Sequence, residues 1–312
     1  MTERLTSDPE GIARAAAFLS AGRCVGFPTE TVYGLGADAT SDRAVAAIFE
    51  AKDRPRFNPL IVHLPDPGAV AALCDMPEAA ERLAAAFWPG ALTLVLPLRS
   101  GAGISPLVTA GLETLAVRVP DHAVARELLR AVGRPVAAPS ANPSGRLSPT
   151  TAAHVLAGLD GRIAAVLDGG PCGVGVESTI VGFDPGPVLL RPGGLPREAL
   201  EACLGGTLGE VMPGRRPVAP GQLVSHYAPR GALRMEATVA REGEVLVGFG
   251  AVAGAVSLSA AGDLVEAAAA LFPVLHRLDA AGVERIAVAP IPETGLGLAI
   301  NDRLRRAAAP RG

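Results

Sequence analysis

Three positively charged side chains, Lys52, Arg54 and Arg56, fall within five residues of one segment, residues 52–60 (KDRPRFNPL). Clustered lysine and arginine can hold a triphosphate and stabilise the charge that develops during transfer at phosphorus. A helix C-terminus also favours a cation, but it accounts for one such residue rather than three. Lys52 is also the single lysine among 28 Lys and Arg residues. Either a compact ammonium is required at this position, or its presence is an accident of composition.

Four further segments carry small polar groups, glycines or an arginine next to short apolar runs. They are residues 28–36 (PTETVYGLG), 138–145 (APSANPSG), 175–181 (GVESTIV) and 189–194 (LLRPGG). In α/β proteins, binding groups concentrate where strands end, so these segments are candidates for one shared site. Taken singly, each also fits a structural role: a capped connection, a flexible hairpin or a contact with a sheet edge.

Composition narrows the classes of protein. The chain has 312 residues, 49% of them hydrophobic, which suffices for a large core or two domains. A net charge of −3 argues against a broad nucleic-acid surface, so we expect at most weak contact with tRNA. Four scattered cysteines fit neither a zinc site nor a disulfide framework. We expect a cytoplasmic protein with no membrane span and no metal held by the chain itself.

The pattern of short β-rich runs alternating with helical stretches predicts an α/β fold with some antiparallel strand pairs. Helix starts are predicted at Asp8, Ser41 and Ser148, and helix ends at Gly22 and Gly133. The predicted strands begin at Cys24, Leu60, Leu92, Leu115, Val136, Ala165, Thr179 and Val188, and in the last part of the chain at Glu244 and Arg285. Helices are also predicted over residues 263–281 and from Leu296.

A stretch rich in Gly and Pro divides the chain. We predict a first domain over residues 1–205, a linker over 206–230, and a smaller α/β domain over 231–312.

In their order and spacing, the five segments resemble the YrdC-type threonylcarbamoyl-AMP synthases. The later stretches PGQLVSHYAPR (220–230) and GLGLAINDRLRRAA (295–308) resemble the longer, two-domain members of that family. The resemblance implies a twisted mixed sheet with a basic concave cleft, plus a smaller Rossmann-like C-terminal domain. It also implies that ATP, accompanied by Mg²⁺, L-threonine and bicarbonate give threonylcarbamoyl-AMP and pyrophosphate. The product would pass to a tRNA threonylcarbamoyl transferase complex.

The resemblance implies a role for individual residues as well. Lys52 and Arg54 would be catalytic and hold the ATP phosphates. The nucleotide site would be completed by Thr114, Asn142, Ser148, Arg191 and Tyr227. L-threonine would be surrounded by Thr29, His63, Arg118, Ser140 and Ser178, with the arginine suited to its carboxylate.

Two other functions stay open at this point. YrdC-like modules also occur in larger carbamoyltransferases, and a basic cleft could grip RNA phosphates instead of ATP, although the acidic balance opposes the second. The C-terminal domain carries no phosphate-binding glycine fingerprint, and we expect it to position the linker, with Tyr227, as a lid.

Overall fold

The computed structural model describes residues 1–55, 57–210 and 226–310. The predictions made for Arg56 and for linker residues 211–225 therefore lie outside the described residues.

The described residues form two sheets, the first within residues 3–210 and the second within residues 232–288. The strands of the first are β1 Glu3–Thr6, β2 Val25–Phe27, β3 Gly34–Asp38, β4 Ile61–His63, β5 Leu92–Pro97, β6 Thr114–Arg118, β7 Val136–Ala137, β8 Ala165–Asp168, β9 Thr179–Gly182, β10 Val188–Arg191 and β11 Gly209–Glu210. Those of the second are β12 Ala232–Arg234, β13 Val245–Gly248, β14 Val256–Ser257 and β15 Arg285–Val288.

The helices flank these sheets. They are α1 Pro9–Ser20, α2 Asp42–Lys52, α3 Glu78–Phe87, α4 Pro106–Thr109, α5 Ala123–Val132, α6 Ala152–Leu159, α7 Arg197–Leu204, α8 Leu264–Ala280 and α9 Gly297–Ala308, with a 3-10 helix at Pro67–Ala72. Among the described residues, no helix is both long and apolar enough to cross a membrane.

The large sheet is mixed, as the sequence predicts. Its order is β1-β8-β2-β3-β7-β4-β6-β5-β9-β10-β11. The β4–β6 and β5–β9 pairs are parallel, whereas β2–β3, β5–β6 and β9–β10 are antiparallel. The smaller sheet, β12-β15-β13-β14, is parallel throughout.

Most element predictions are confirmed. All ten predicted strand starts fall within one residue of an observed strand start. Asp8 and Ser41 cap α1 and α2 through side-chain oxygens, and Gly133 ends α5 in the left-handed conformation (φ 65°). The prediction for Ser148 is wrong: Thr151 caps α6, because its hydroxyl accepts from the amide of His154. Glu210, inside the predicted linker, belongs to strand β11.

The two domains share an apolar cluster. Val32, Leu147 and Val176 of the first domain pack in the same buried cluster as Leu271 and Phe272 of α8. The contact is close enough to require glycine at one point. Gly175 has a positive φ (+80°), and a Cβ there would lie 2.3 Å from the carbonyl oxygen of Ala268 in α8. The C-terminal domain therefore packs closely against the first domain.

A pair of stacked histidines adds to this interface. The rings of His154, on α6, and His276, on α8, lie 3.8 Å apart and nearly parallel. His276 Nε2 also lies 3.0 Å from the carbonyl oxygen of Ser148. Burial, and then the neighbouring imidazole, lower the pKa of His154 to about 4. Burial also lowers the pKa of His276, although its contact with Ser148 and the charge of Asp279 oppose that shift.

We predict that acid weakens this interface. Since the folded-state pKa of both histidines is lowered, the unfolded chain takes up more protons once the pH falls below about 6.5. Their contribution to the free energy of unfolding is complete above about pH 7 and declines as the pH falls toward 4, by at most about 1.4 kcal/mol per pH unit for each histidine.

The free energy of unfolding, measured with urea at pH 7 and pH 5, would check this. A measurement at pH 8, where imidazoles are neutral, gives the reference value for each protein. His276→Gln should lose about 1–2 kcal/mol less between pH 7 and pH 5 than the unaltered chain does. An identical loss in both proteins would show that the stacked pair does not contribute.

Candidate active site

A small cavity of about 50 Å³ lies between the large sheet and the C-terminal part of the chain. All five residues predicted to surround L-threonine line it, together with three of those predicted for the nucleotide. The predicted residues on its wall are Thr29, Arg54, His63, Arg118, Ser140, Ser178, Arg191 and Tyr227. The candidate site is therefore one cavity, built from segments that are far apart in sequence.

The face of the sheet forms one wall of this cavity. Ile61 and His63 alternate along β4 and so project from the same face. His63 is paired in register with Arg118 of the parallel strand β6, so these two side chains stand next to each other. The site thus extends over the sheet, beyond the loops where the sequence placed it.

His63 acts here as a neutral group. Burial, and secondarily the charge of Arg118, lower its pKa to about 3. Its ring packs edge-on against Phe27, with the ring centroids 5.9 Å apart. A neutral imidazole can orient a ligand by hydrogen bonding but adds no charge at ordinary pH.

Arg118 is buried and held on three sides. Its Nη2 lies 2.6 Å from Oε1 of Glu30, its Nη1 donates to the hydroxyl of Thr31 at 2.8 Å, and its Nε donates to the carbonyl of Gly90 at 3.3 Å. A guanidinium carries five N–H groups. Nη2 has no hydrogen-bond partner among the described residues, so Arg118 keeps N–H groups that can bind a ligand carboxylate.

The loop after β2 presents the hydroxyl of Thr29, and the start of β9 presents that of Ser178. The hydroxyl of Thr29 donates to the carbonyl of Val32 at 2.6 Å and also accepts from the amides of Thr31 and Val32. These bonds fix the shape of the loop. They match the structural role considered in the sequence analysis, in which side-chain hydroxyls satisfy backbone groups of a connection. On the other side, Ser178 is buried and shares a 2.7 Å hydrogen bond with Thr93.

Lys52 is fixed by backbone carbonyls. It ends α2, is 1% exposed, and donates to the carbonyl oxygens of Ser140 and Asn142. Burial, and then the charge of Arg54, hold its pKa well below the usual range. A compact ammonium fits between two convergent carbonyls better than a planar guanidinium does, which gives the single lysine a structural reason. Lys52 lies behind the cavity wall and shapes the Ser140 loop from there.

Arg54 carries a buried charge that the described part of the chain does not neutralise directly. Its Nη2 donates to the carbonyl of Pro59 at 3.1 Å, while its Nε has no hydrogen-bond partner among the described residues. Among those residues, neither Arg54 nor Lys52 forms an ion pair. Burial is the main reason that the pKa of Arg54 falls to about 10, and the charge of Arg191 lowers it further. Such a group favours an incoming anion.

Arg191 lies at the end of β10 and forms another part of the basic wall. Its Nε and Nη2 donate to the carbonyl oxygen of Ser178 at 3.2 and 2.8 Å. It is 4% exposed, and its guanidinium lines the same cavity as Arg54.

Two nucleotide-site residues lie behind the wall, as Lys52 does. Asn142 donates from its side-chain amide to the carbonyls of Pro143 and Arg146, at 2.8 and 3.0 Å. The hydroxyl of Ser148 donates to the carboxylate of Glu177. Both residues hold the surrounding loops in place, and in this arrangement neither lines the cavity.

Thr114 is not brought to the cavity. It begins β6 and lines a separate surface depression with Pro97, Gly103 and Phe183. Arg118 is four residues further along the same strand, about 13 Å away at the rise of an extended chain. The assignment of Thr114 to the nucleotide site therefore has no support from its position.

His226 and Tyr227 of the predicted linker close the cavity. Tyr227 is 2% exposed, has a left-handed backbone (φ 60°), and packs on Phe272 with ring centroids 5.9 Å apart. The next residue, Ala228, donates its amide to the carbonyl of Gly145 at 2.9 Å. Ligand sites for molecules of nucleotide size are usually about 300–1,000 Å³. At about 50 Å³, the cavity with His226 and Tyr227 in its lining is smaller than that range.

The chain was compared with known proteins. A family model described as "Telomere recombination" matches residues 17–193, and one described as "Threonylcarbamoyl-AMP synthase, C-terminal domain" matches residues 195–309. A Bacillus subtilis protein named threonylcarbamoyl-AMP synthase is 45% identical over all of this chain and 96% of its own length. The chain belongs to the threonylcarbamoyl-AMP synthase family.

Solved structures agree with this membership. The Pyrococcus abyssi protein Sua5, in a crystal structure with L-threonine, superimposes with a TM-score of 0.90 at 38% identity, covering 99% of this chain and 97% of that one. The family's two-domain α/β architecture is therefore confirmed. A full-length HypF structure, at 22% identity and a TM-score of 0.53, shares the fold over 60% of this chain.

Sequence reasoning missed three residues that shape the site. Glu30 holds Arg118, Glu177 holds Ser148, and Arg303 reaches in from α9 of the C-terminal domain. Glu30 and Glu177 lie inside segments that had been singled out, where a carboxylate surrounded by hydroxyl residues was the available signal. Arg303 lies in an ordinary basic helix, and only the fold brings it to Glu177.

We predict that the buried charge of Arg54 lowers the free energy of unfolding and increases the affinity for ATP. Its buried charge lacks an ion-pair partner in the described chain, and its hydrogen bonds to the carbonyls of Asn58 and Pro59 are long, at 3.4 and 3.1 Å. Arg54→Met should therefore leave the free energy of unfolding unchanged or raise it by about 1 kcal/mol. The same variant should bind ATP about 10–100-fold more weakly, since charge-assisted hydrogen bonds contribute roughly 1.5–3 kcal/mol. Urea unfolding and calorimetric titration would measure the two effects.

Lys52→Met is the matched comparison. It leaves two buried carbonyls without their donor, so it should lower the free energy of unfolding by about 1–3 kcal/mol. Equal loss of stability in both variants would contradict the distinct environments described for the two cations.

Proposed function

We propose that this chain condenses L-threonine, bicarbonate and ATP into threonylcarbamoyl-AMP and pyrophosphate. The observation that carries the proposal is the meeting of two kinds of binding group in one small cavity. The buried cations Arg54 and Arg191 line it together with Arg118 and the hydroxyl residues Thr29 and Ser178. Its relatives in Bacillus subtilis and Pyrococcus abyssi carry the name of that activity.

Arg54 and Arg191 would take the phosphates of ATP. Both guanidinium groups are desolvated before the ligand arrives, so an anion meets little competition from water. Lys52 would contribute its charge from behind the wall, where two of its three N–H groups are given to the carbonyl oxygens of Ser140 and Asn142. These cations would also stabilise the pyrophosphate as it leaves.

L-threonine would bind at the wall formed by the sheet. Its carboxylate would accept from N–H groups of Arg118 that the described residues leave without a hydrogen bond, and its hydroxyl would bond to the neutral ring of His63 or to a nearby hydroxyl residue. The L-threonine bound to Pyrococcus abyssi Sua5, whose fold this chain shares closely, supports this assignment.

The proposed reaction depends on how the cavity positions the three reactants. The amine of threonine and bicarbonate give a carbamate with loss of water, and a carbamate oxygen attacks the α-phosphorus of ATP. The bond to the bridging oxygen breaks, and pyrophosphate departs with that electron pair. Bringing three anions together against their repulsion is the main obstacle, so fixed cations and amides contribute more than a general base.

Mg²⁺ would enter with ATP as part of the substrate. Among the described residues, Glu177 is the carboxylate that lines the cavity, and it is engaged by Arg303 and Ser148. No group of three His, Cys, Asp or Glu side chains in that part of the chain is placed to hold a metal. The ligands of Mg²⁺ would therefore be phosphate oxygens and water, as is common for this ion.

The product would be handed to a tRNA threonylcarbamoyl transferase complex in the cytoplasm. A mixed anhydride of a carbamate and AMP hydrolyses readily, so a closing segment such as His226–Tyr227 would protect it until release. The net charge of −3 supports a handover of the small molecule without strong binding of tRNA.

The test is pyrophosphate release by the purified chain. We expect release only when ATP, L-threonine and bicarbonate are all present. Release that is indifferent to threonine but stimulated by carbamoyl phosphate would favour a carbamoyltransferase instead. Salt-sensitive RNA binding without ATP consumption would favour an RNA-binding module.

A serine pair on one loop tests the threonine side of the proposal. Ser140 lines the cavity, whereas Ser144 does not. Ser140→Ala should raise the KM for L-threonine about 3–10-fold, the effect of one lost hydrogen bond, with a smaller change in the KM for ATP. Ser144→Ala is the control and should leave both constants unchanged. Equal effects of the two variants would remove Ser140 from the threonine site.

A further inference from the structure

Two buried arginines of the cavity differ in how their charge is balanced. Nη2 of Arg118 lies 2.6 Å from Oε1 of Glu30, and the two side chains are 4% and 14% exposed. Arg54 lines the same cavity but forms no ion pair among the described residues. The chain therefore supplies a carboxylate for one of these cations and not for the other.

The contact with Glu30 leaves N–H groups of Arg118 unused. Nη2 and both carboxylate oxygens of Glu30 have no hydrogen-bond partner among the described residues. Two other bonds hold the guanidinium, from Nη1 to the hydroxyl of Thr31 and from Nε to the carbonyl of Gly90. Glu30 is not part of the cavity lining. It thus balances the charge of Arg118 from behind the wall and leaves the arginine able to bind a ligand.

This difference in charge suits two different ligands. L-threonine carries one carboxylate and one ammonium group at neutral pH, so it has no net charge. It can bind Arg118 by hydrogen bonds without leaving an excess of negative charge beside Glu30. A phosphate group carries close to two negative charges, so the carboxylate behind Arg118 repels it, whereas Arg54 offers a cation with no such neighbour.

We propose that Glu30 is a specificity-determining residue that keeps phosphate groups out of the L-threonine subsite. By neutralising Arg118, it leaves Arg54 the more attractive of the two arginines for an anion, so each substrate binds on its own side of one small cavity. The inference rests on the proposed function, in which Arg118 binds L-threonine and Arg54 binds the phosphates of ATP. Without the charge of Glu30, both arginines would attract phosphate.

The experiment measures the binding of L-threonine with and without inorganic phosphate, by calorimetric titration of the unaltered chain and of Glu30→Gln. In the unaltered chain, phosphate should change the Kd of L-threonine by less than about twofold, because it binds beside Arg54. In Glu30→Gln, phosphate should compete with L-threonine. At about ten times its own Kd for that variant, it should raise the apparent Kd of L-threonine about tenfold.

The affinity for L-threonine without phosphate separates an effect of charge from one of structure. Thr31 and Gly90 still hold Arg118 in Glu30→Gln, so this affinity should change by less than about threefold. A structural role for Glu30 would instead weaken L-threonine binding and create no competition by phosphate. Glu30→Asp, which keeps the charge, should behave as the unaltered chain does.

One control variant and one further measurement complete the design. Glu293→Gln removes an exposed carboxylate, paired with Arg305 at the surface, and should show no competition by phosphate. Glu30→Gln leaves a buried arginine without its carboxylate and is expected to be less stable. If it is too unstable for titration, phosphate should raise its thermal unfolding temperature at least about 2 °C more than that of the unaltered chain, because phosphate supplies the missing charge.

Absence of competition in Glu30→Gln would overturn the proposal, as would equal competition in that variant and in the unaltered chain. Equal thermal stabilisation of the two proteins by phosphate would overturn it as well. If the unaltered chain binds L-threonine but releases no pyrophosphate with ATP and bicarbonate, the proposed reaction fails while the result for Glu30 stands. Absence of L-threonine binding in the unaltered chain would overturn both.

Discussion

Buried positive charge in excess of directly paired negative charge is the constraint that shapes this molecule. Lys52, Arg54 and Arg191 are each at most 8% exposed, yet they converge on one region. Such groups repel one another and lose hydration, and both effects oppose folding. The surrounding structure has to hold them in place, through carbonyls at Lys52 and Arg54 and through Ser178 at Arg191. Lys52 and Arg54 form no ion pair among the described residues, so a negatively charged ligand would be stabilised beside them.

The sheet and the domain interface both serve this arrangement. The pairing of β4 with β6 sets His63 beside Arg118, and the strands that carry Ser178 and Arg191 are neighbours in the same sheet. The C-terminal domain then covers the open side. Its apolar contacts with Val32 and Val176 fix α9 closely enough for Arg303 to reach Glu177.

Local sequence signals predicted the elements well and the site in part. Short apolar runs and capping residues identified most strands and helix starts, because these depend on neighbours in the chain. Strand β3 was missed because Gly34 and Gly36 weaken the pattern. The contact between Arg303 and Glu177 spans 126 residues, so nothing local encodes it. Thr114, which the resemblance assigns to the nucleotide site, begins β6 four residues before Arg118 and does not line the cavity. The other residues predicted to line the cavity were identified from the family resemblance, because the periodicity of the sequence carries no information about them.

The interface between the domains has one more consequence. Val32, Leu147 and Val176 are covered by residues of the other domain, and Gly175 allows α8 to approach the backbone directly. Each half of the chain therefore has a complementary apolar surface that its partner half is shaped to fill. Expressed as two separate polypeptides divided between the sheets, the halves would find each other and reassemble.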